Sequence, residues 1–434
     1  MIPELLGLVG LVTLLFFLFI LGTPVGFSLA LIGFVGFASI VNFTAASNMV
    51  ASTLWANFSG LSLTAIPLFI LMGNIAHQSG INEKLYRAAY CWFGHIKGGM
   101  ALATVLSCAA FSMICGSNAA TAATMSTITL PQMKKYGYNP LLSAGAVASG
   151  STLGVVIPPS VVLIILGLTT EQSIARLFYG AIGAGVLLTT LLALTVLVLC
   201  HVKKGWGPAG KKHSLKEKLS SLKGTFAMLV LFSAMMGGLY GGFFTPTEAG
   251  AAGSFMAIII GIAGGELKLK GFKVAITKTL SASCMVILIT VGAIIFGKFL
   301  TIAGIPRFVA DTALSLPLPP SCIILLIFLI YIIGGALMDA LALLLITLPI
   351  FFPVAVALGL DPIWFAVVIT VITTLGAITP PVGATTYVVA GLSDDISLSQ
   401  VIQGVCLFLP AFVMTIALLI IFPGIITWLP AMIH

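Results

Sequence analysis

Two apolar stretches of the chain carry a double proline: Ser151-Thr152-Leu153-Gly154-Val155-Val156-Ile157-Pro158-Pro159-Ser160 and Thr373-Thr374-Leu375-Gly376-Ala377-Ile378-Thr379-Pro380-Pro381. Successive prolines remove two backbone donors and drive the preceding residue out of the helical region, so a helix must open there. Unwound backbone survives at membrane depth only where it lines protein or water. The carbonyls freed near Gly154, Pro158, Gly376 and Pro380, with the hydroxyl of Thr379, are hard oxygen donors of the kind that coordinate sodium. A plain kink explains one such break, whereas two at matched positions favour an ion site.

Two further apolar runs turn at short polar tips, Cys115-Gly116-Ser117-Asn118-Ala119-Ala120-Thr121 and Gly334-Gly335-Ala336-Leu337-Met338-Asp339. Each arm of the first is roughly 25 Å long as a helix, slightly short of a hydrocarbon core. A tip left at that depth exposes the free N–H groups of its second arm, which suit an anion. Ser117 or Asn118 would cap that arm, and their oxygens also suit a hard cation; in an ordinary loop the same residues only cap. Asp339 stands where the first tip has Thr121. An intramembrane acid is costly and faces a cavity or a cation, or else accepts from a nearby helix end. Lys298 is the other charge inside an apolar run, placed either to contact substrate or to snorkel to the interface.

The elements that position these groups must be membrane helices. Of 434 residues, 60% are hydrophobic and 7% charged, against about 25% charged in soluble domains. That excludes a soluble protein. The net charge of +8 then reads as a membrane address rather than a nucleic-acid surface. Seven cysteines without CxxC or Cys/His spacing make neither a disulfide framework nor a transition-metal centre. Met1 to Ile20 has Glu4 where a signal peptide carries Lys or Arg, and it reads as a retained first span.

Apolar segments run 4–21, 25–42, 62–77, 98–135, 141–168 and 174–201, then 224–242, 247–264, 280–303, 320–355, 362–392 and 398–429. The two sets are copies. Thr23-Pro24 matches Thr245-Pro246, Ile128-Thr129-Leu130-Pro131 matches Ile346-Thr347-Leu348-Pro349, the two double-proline stretches match, and Gly80-Ile81 matches Gly304-Ile305, all at offsets of 218 to 224. Residues 1–202 form the first repeat, with a hairpin at 98–135 and a broken helix at 141–168. A lysine-rich linker at 203–223 leads to the second repeat, 224–434, with a hairpin at 320–355 and a broken helix at 362–392.

With the N-terminus outside and both hairpins re-entrant, sixteen bases fall on the inner side, Lys278 among them, and Arg176, Lys298 and Arg307 on the outer. This bias fixes orientation but not re-entrance. Five crossings per half turn the second copy upside down, the inverted repeat of secondary transporters. The fold class is therefore an all-α polytopic membrane protein of two inverted-topology repeats. Thr245-Pro246-Thr247-Glu248 reads as a capped helix start with Thr23-Pro24 as its counterpart. Glu83 with Arg87, and Arg307 with Asp311, read as i,i+4 pairs on interfacial helices.

At the tips and breaks, Gly116 to Ala120, Thr152 to Ser160, Gly335 to Asp339 and Leu375 to Pro381, the sequence resembles the large membrane subunit of TRAP (tripartite ATP-independent periplasmic) transporters, DctM type. The resemblance covers essentially the whole chain. It implies a sodium-coupled importer of small organic acids, such as C4-dicarboxylates or sialic acids, in the bacterial inner membrane. It also implies a small four-helix membrane subunit as a separate polypeptide, a periplasmic substrate-binding protein, and an elevator architecture like that of the ion-transporter superfamily.

On this reading one Na+ lies between Gly116, Ser117, Asn118 and the carbonyls near Gly154 and Pro158. A second lies between Gly335, Asp339 and the stretch Gly376, Thr379 and Pro380. The substrate carboxylate sits between the tips, with Ser117, Asn118, Thr121, Asp339, Lys298, Thr379 and Thr385 as candidate contacts. A permease of similar fold that works without a binding protein, and an ion channel, are the rivals. No GxSxG, HExxH or Ser/His constellation points to an enzyme.

Overall fold

A computed structural model describes residues 3–315, 317, 319–393 and 395–432; the described residues form helices and turns without a strand. The first repeat comprises α1 (Pro3–Phe19), α2 (Val25–Ile40), α3 (Phe43–Ser59), α4 (Ala65–Gln78), α5 (Ile81–Phe93), the hairpin arms α6 (Gly99–Cys115) and α7 (Asn118–Lys135), then α8 (Pro140–Ser151), α9 (Leu153–Val156), α10 (Val161–Thr170) and α11 (Ile174–Val202). The second comprises α12 (Leu215–Tyr240), α13 (Pro246–Ala263), α14 (Leu269–Ile302), α15 (Ile305–Ser315), the hairpin arms α16 (Pro320–Leu337) and α17 (Ala340–Ala357), then α18 (Pro362–Gly376), α19 (Ala384–Gly391), α20 (Leu398–Cys406), α21 (Leu409–Ile421) and α22 (Gly424–Ala431).

The two copies exchange partners. α2 packs on α14, and its counterpart α13 packs on α4, the counterpart of the second half of α14. Within each copy the first hairpin arm packs on the broken helix, α6 on α8 and α16 on α18. In lipid no hydrophobic effect drives helices together, so close approach of small residues does that work. Gly26, Gly33 and Gly292 form such a seam: a Cβ on Gly292 would lie 2.4 Å from the Gly26 carbonyl oxygen.

Hairpin α6–α7 returns to the side from which it starts. The Gly98 N–H donates to the Gly207 carbonyl at 2.9 Å, and the Asn139 N–H to the Trp206 carbonyl at 2.9 Å. Both ends of the hairpin are thus tied to adjacent residues of the connector between the repeats. α16 and α17, of 18 residues each, are joined through Met338 and Asp339 and pack on one another, so the second hairpin also returns to its starting side. Among the described residues seven helical segments are long and apolar enough to cross a membrane, or nine with two bent pairs each taken as one span. Both arms of the second hairpin are among the seven, so length and composition alone do not distinguish an arm from a span.

Three local expectations change. A helix, α3, occupies 43–59, where no apolar segment was expected; it meets the next helix at a 61° bend. Gly60 ends it, whereas α14 has Ala282 at the matching position and continues as one 34-residue helix. α12 begins at Leu215, inside the expected linker, on a Ser214/Glu217 capping box. Thr245 and Glu248 form the expected capping box, but Thr23 does not cap α2; its hydroxyl donates to the Phe17 carbonyl at 2.9 Å. Arg307 pairs with Asp311 at 3.6 Å, while Glu83 and Arg87 form no pair and Lys84 instead joins Glu266 at 2.6 Å.

Candidate functional site

The first tip turns at Gly116, whose φ of 62° is in the left-handed region where glycine is at no disadvantage. Ser117 caps α7, its Oγ accepting the Ala120 N–H at 3.4 Å. The tip lies directly on the first break: a Cβ on Gly154 would sit 2.7 Å from the Ser117 carbonyl oxygen and 3.0 Å from the Asn118 nitrogen. A Cβ on Gly116 would lie 3.0 Å from the Pro159 carbonyl oxygen. Among the described residues the carbonyls of Ile157, Pro158 and Pro159 accept no hydrogen bond. Asn118 is 9% exposed, and its Oδ1 is buried without a partner. A buried amide oxygen with no donor is costly unless something outside the chain satisfies it. The Asn118 amide oxygen and the unbonded carbonyls of the break are neutral oxygen donors, the chemistry that suits a hard monovalent cation.

The second tip repeats the arrangement. Gly335 lies against Gly376, where a Cβ on Gly376 would come within 2.5 Å of the Gly335 Cα. The N–H groups of Val382 and Gly383 donate to the Ala336 carbonyl at 3.1 and 3.3 Å, binding the loop after Pro380-Pro381 to the tip. The carbonyls of Ile378, Thr379, Pro380 and Pro381 accept no hydrogen bond among the described residues. Pro158-Pro159 and Pro380-Pro381 are both cis. Asp339 caps α17 by accepting the Leu341 N–H at Oδ2, 3.0 Å away, so both of the sequence readings of this acid apply: it caps a helix and it faces a cavity.

That cavity, of about 380 Å³, lies between the tips. Gly116, Ser117, Asn118 and Asp339 line it from the hairpins; Ile70 and Asn74 of α4, with Lys278, Ala282 and Met285 of α14, form its wall. A second cavity of about 280 Å³ shares Gly73, Asn74, Cys115, Ala120 and Lys278 with it, and continues past Thr124 and Thr127 along α7 toward the connector end. There His77 Nδ1 lies 3.1 Å from both Thr124 Oγ1 and Asn82 Nδ2, joining wall to hairpin.

A third cavity, of about 520 Å³, lies toward the far end of α14 and includes Thr170, Glu171, Gly297, Lys298, Thr301 and Leu345. It is the repeat's copy of the second one: offsets of 224, 222 and 218 carry Gly73, Asn74 and His77 to Gly297, Lys298 and Thr301, Thr170 to Leu392, and Thr127 to Leu345. No tip residue lines this far cavity.

The structure therefore brings Gly116, Ser117, Asn118 and Asp339 together and places Gly154 and Pro158 behind the first tip. Gly335, Gly376, Thr379 and Pro380 form the second tip–break contact, outside the lining of the tip cavity. Three expected substrate contacts are absent from the lining of the tip cavity. The Thr121 hydroxyl donates to the Ser117 carbonyl at 2.8 Å, the Thr379 hydroxyl donates to the Leu375 carbonyl at 2.6 Å, and Thr385 is buried. Lys298 is in the far cavity, donating to Thr53 Oγ1 at 2.7 Å. Lys278, expected among the bases of the inner loops, lines the tip cavity instead, ten residues into α14. The signal was present in its position four residues before Ala282 on a helix with an apolar continuation, one turn inside the run of topogenic lysines.

Residues 12–425 match the sequence model of the family described as "Tripartite ATP-independent periplasmic transporter, DctM component". The chain is similar to the C4-dicarboxylate TRAP transporter large permease protein DctM of Pseudomonas aeruginosa, 33% identical over 88% of this chain and 87% of that one. It is also similar to the sialic acid TRAP transporter large permease protein SiaM of Vibrio cholerae, 32% identical over 94% and 95%. The fold is that of the Alcanivorax borkumensis YdaH transporter, with a TM-score of 0.66, 15% identity, and 89% and 90% of the two chains covered.

Proposed function

The chain belongs to the DctM component family of tripartite ATP-independent periplasmic transporters, and we propose that it carries a small organic acid anion together with sodium. The C4-dicarboxylate and sialic acid classes named for its relatives set the range of substrate. The observation that carries the reading is the cavity shared by both tips, which continues into a vestibule at one end while the mirrored vestibule at the other end touches neither tip. That asymmetry in a symmetric fold is what one state of an alternating-access carrier requires.

With Lys278 set aside, fifteen of nineteen bases favour the connector end as the cytoplasmic one, with the N-terminus periplasmic and the chain in the bacterial inner membrane. In this orientation the tip cavity is inward-facing. Sodium sits at the two tip–break contacts, at the freed carbonyls, the orphaned Asn118 Oδ1 and the Asp339 carboxylate. The anion sits between the tips, toward the start of α7 and α17. The hairpins with α8–α10, α18 and α19 move as an elevator past the wall of α4 and α14. A small four-helix membrane subunit and a periplasmic binding protein complete the system, which acts in transport and not as an enzyme.

Proteoliposomes holding all three components and an inward sodium gradient test this. Uptake of labelled succinate or N-acetylneuraminate only with the gradient is expected, and uptake indifferent to sodium would remove the coupling. Uptake without any binding protein would support the simpler permease, and conductance far above carrier turnover a channel.

A further inference from the structure

We propose that Lys278 and Lys298, two lysines of the single helix α14, are the cations that meet the substrate anion at the inner and outer mouths of the path. The proposal rests on the reading of the tip cavity as the substrate cavity, and adds to it the groups that recognise charge on the stationary wall.

The argument begins from the repeat. The wall of the tip cavity is Ile70 and Asn74 on α4 with Lys278 and Ala282 on α14. The same offsets that relate the two vestibules carry these residues to Ile294, Lys298, Ala56 and Gly60. Lys298 and Ile294 line the far cavity, and Ala56, Gly60 and Ile294 line a neighbouring cavity of about 220 Å³. The far wall thus exists already assembled, with no tip against it. A symmetric carrier that moves its tips to the other side presents them to this second wall.

Each wall holds one lysine, and the symmetry does not account for it. The counterpart of Lys278 is Ala56, and the counterpart of Lys298 is Asn74. Both lysines come from α14, twenty residues apart, about 30 Å along the helix and about one hydrocarbon thickness. Topogenic lysines would snorkel outward, yet both of these line cavities. Lys278 has no ion pair among the described residues, and Lys298 has only the hydroxyl of Thr53. Glu171 shares the far cavity with Lys298 but lies beyond ion-pair distance. An unpaired ammonium in a vestibule of low dielectric attracts an anion strongly and holds it by a charge-assisted hydrogen bond. A lysine at each mouth lets the anion be collected and released without a basic side chain on the moving tips.

The test uses the three-component transporter in proteoliposomes with labelled succinate and N-acetylneuraminate. Uptake is measured from loaded binding protein, and efflux from preloaded vesicles with unloaded binding protein outside. Lys298→Gln is expected to raise the half-saturating concentration for uptake about tenfold and leave that for efflux unchanged; Lys278→Gln is expected to do the reverse. Arg at either position should restore values to near those of the wild type. Lys278→Met keeps the stem of the side chain and serves if the glutamine variant does not give monodisperse protein. Half-saturation within twofold of wild type in both directions for both neutral variants overturns the assignment of the lysines alone. Failure of the wild type to move either acid with sodium overturns the underlying reading instead.

Discussion

Gly335 and Gly376 meet backbone to backbone, the second hairpin tip lying on the second broken helix so closely that a single Cβ has no room. Gly154 holds the same relation to Ser117 in the first copy. The two contacts fix where freed carbonyls and capped helix starts stand relative to one another. A cation bound at either contact, as proposed, would bridge hairpin to break.

Gly376→Ala and Gly154→Ala should each lower stability by about 1–3 kcal/mol through overpacking, because the conflicting atoms are backbone and cannot rotate away. Thermal unfolding of the purified protein measures this, and uptake should be lost in both. An unchanged melting temperature in both would show that tip and break are not in contact.

Asn118→Ala should raise the sodium concentration for half-maximal uptake about tenfold without destabilising the sodium-free protein. The reason for the second half is that Oδ1 has no partner to lose. Asp339→Asn should raise the sodium requirement similarly, while the amide oxygen still accepts the Leu341 N–H. Sodium titrations of uptake and of melting temperature separate the two effects. A sodium dependence like that of the wild type in both variants would remove these residues from the ion site.

Tyr138 links hairpin to connector: its Oη accepts the Met100 N–H at 3.1 Å and donates to the Pro208 carbonyl at 2.9 Å. Burial pushes its hydroxyl up to about 12, from an ordinary value of about 10. The unfolded chain releases this proton above pH of about 10 while the folded protein keeps it to about 12. The contribution is therefore intact below about 10 and lost as pH rises through that window. Tyr138→Phe should lower stability at neutral pH and flatten the decline between those pH values, as read from melting curves across an alkaline series.

On the α2–α14 seam, Gly292→Ala should destabilise by about 1–3 kcal/mol, since the new Cβ meets the Gly26 carbonyl. Gly237, exposed in α12 with nothing within 4 Å of an added Cβ, gives the opposite sign. Gly237→Ala should stabilise by about 0.5–1 kcal/mol through helix propensity. Equal melting shifts for the two would contradict the packing of the seam.

Much of the site was legible as punctuation. Double prolines, the Gly-Ser-Asn tip and the buried acid are local breaks with local causes, and each appears where its residues stand. The α3 bend was less legible, because its cause is one glycine in a polar-looking stretch whose partner copy runs straight. Thr121, Thr379 and Thr385 were candidates as hydroxyls near the tips. Two of those hydroxyls instead donate to carbonyls one turn back, as hydroxyls in helices commonly do.

Composition, hydropathy and the repeated motifs by themselves determined that this chain lives in lipid, is built twice in opposite orientation, and opens its helices at two matched points. Those properties follow from backbone chemistry and from hydrophobic runs read along the chain. Only the tertiary structure decided that both tips share one cavity, that the two ends of each hairpin lie on one side, and that Lys278 faces that cavity and not the inner loop. The physical reason is that a helix presents different residues to different neighbours. Which face of α14 meets the tips depends on glycine seams formed with helices more than 200 residues away, and no local pattern encodes that choice.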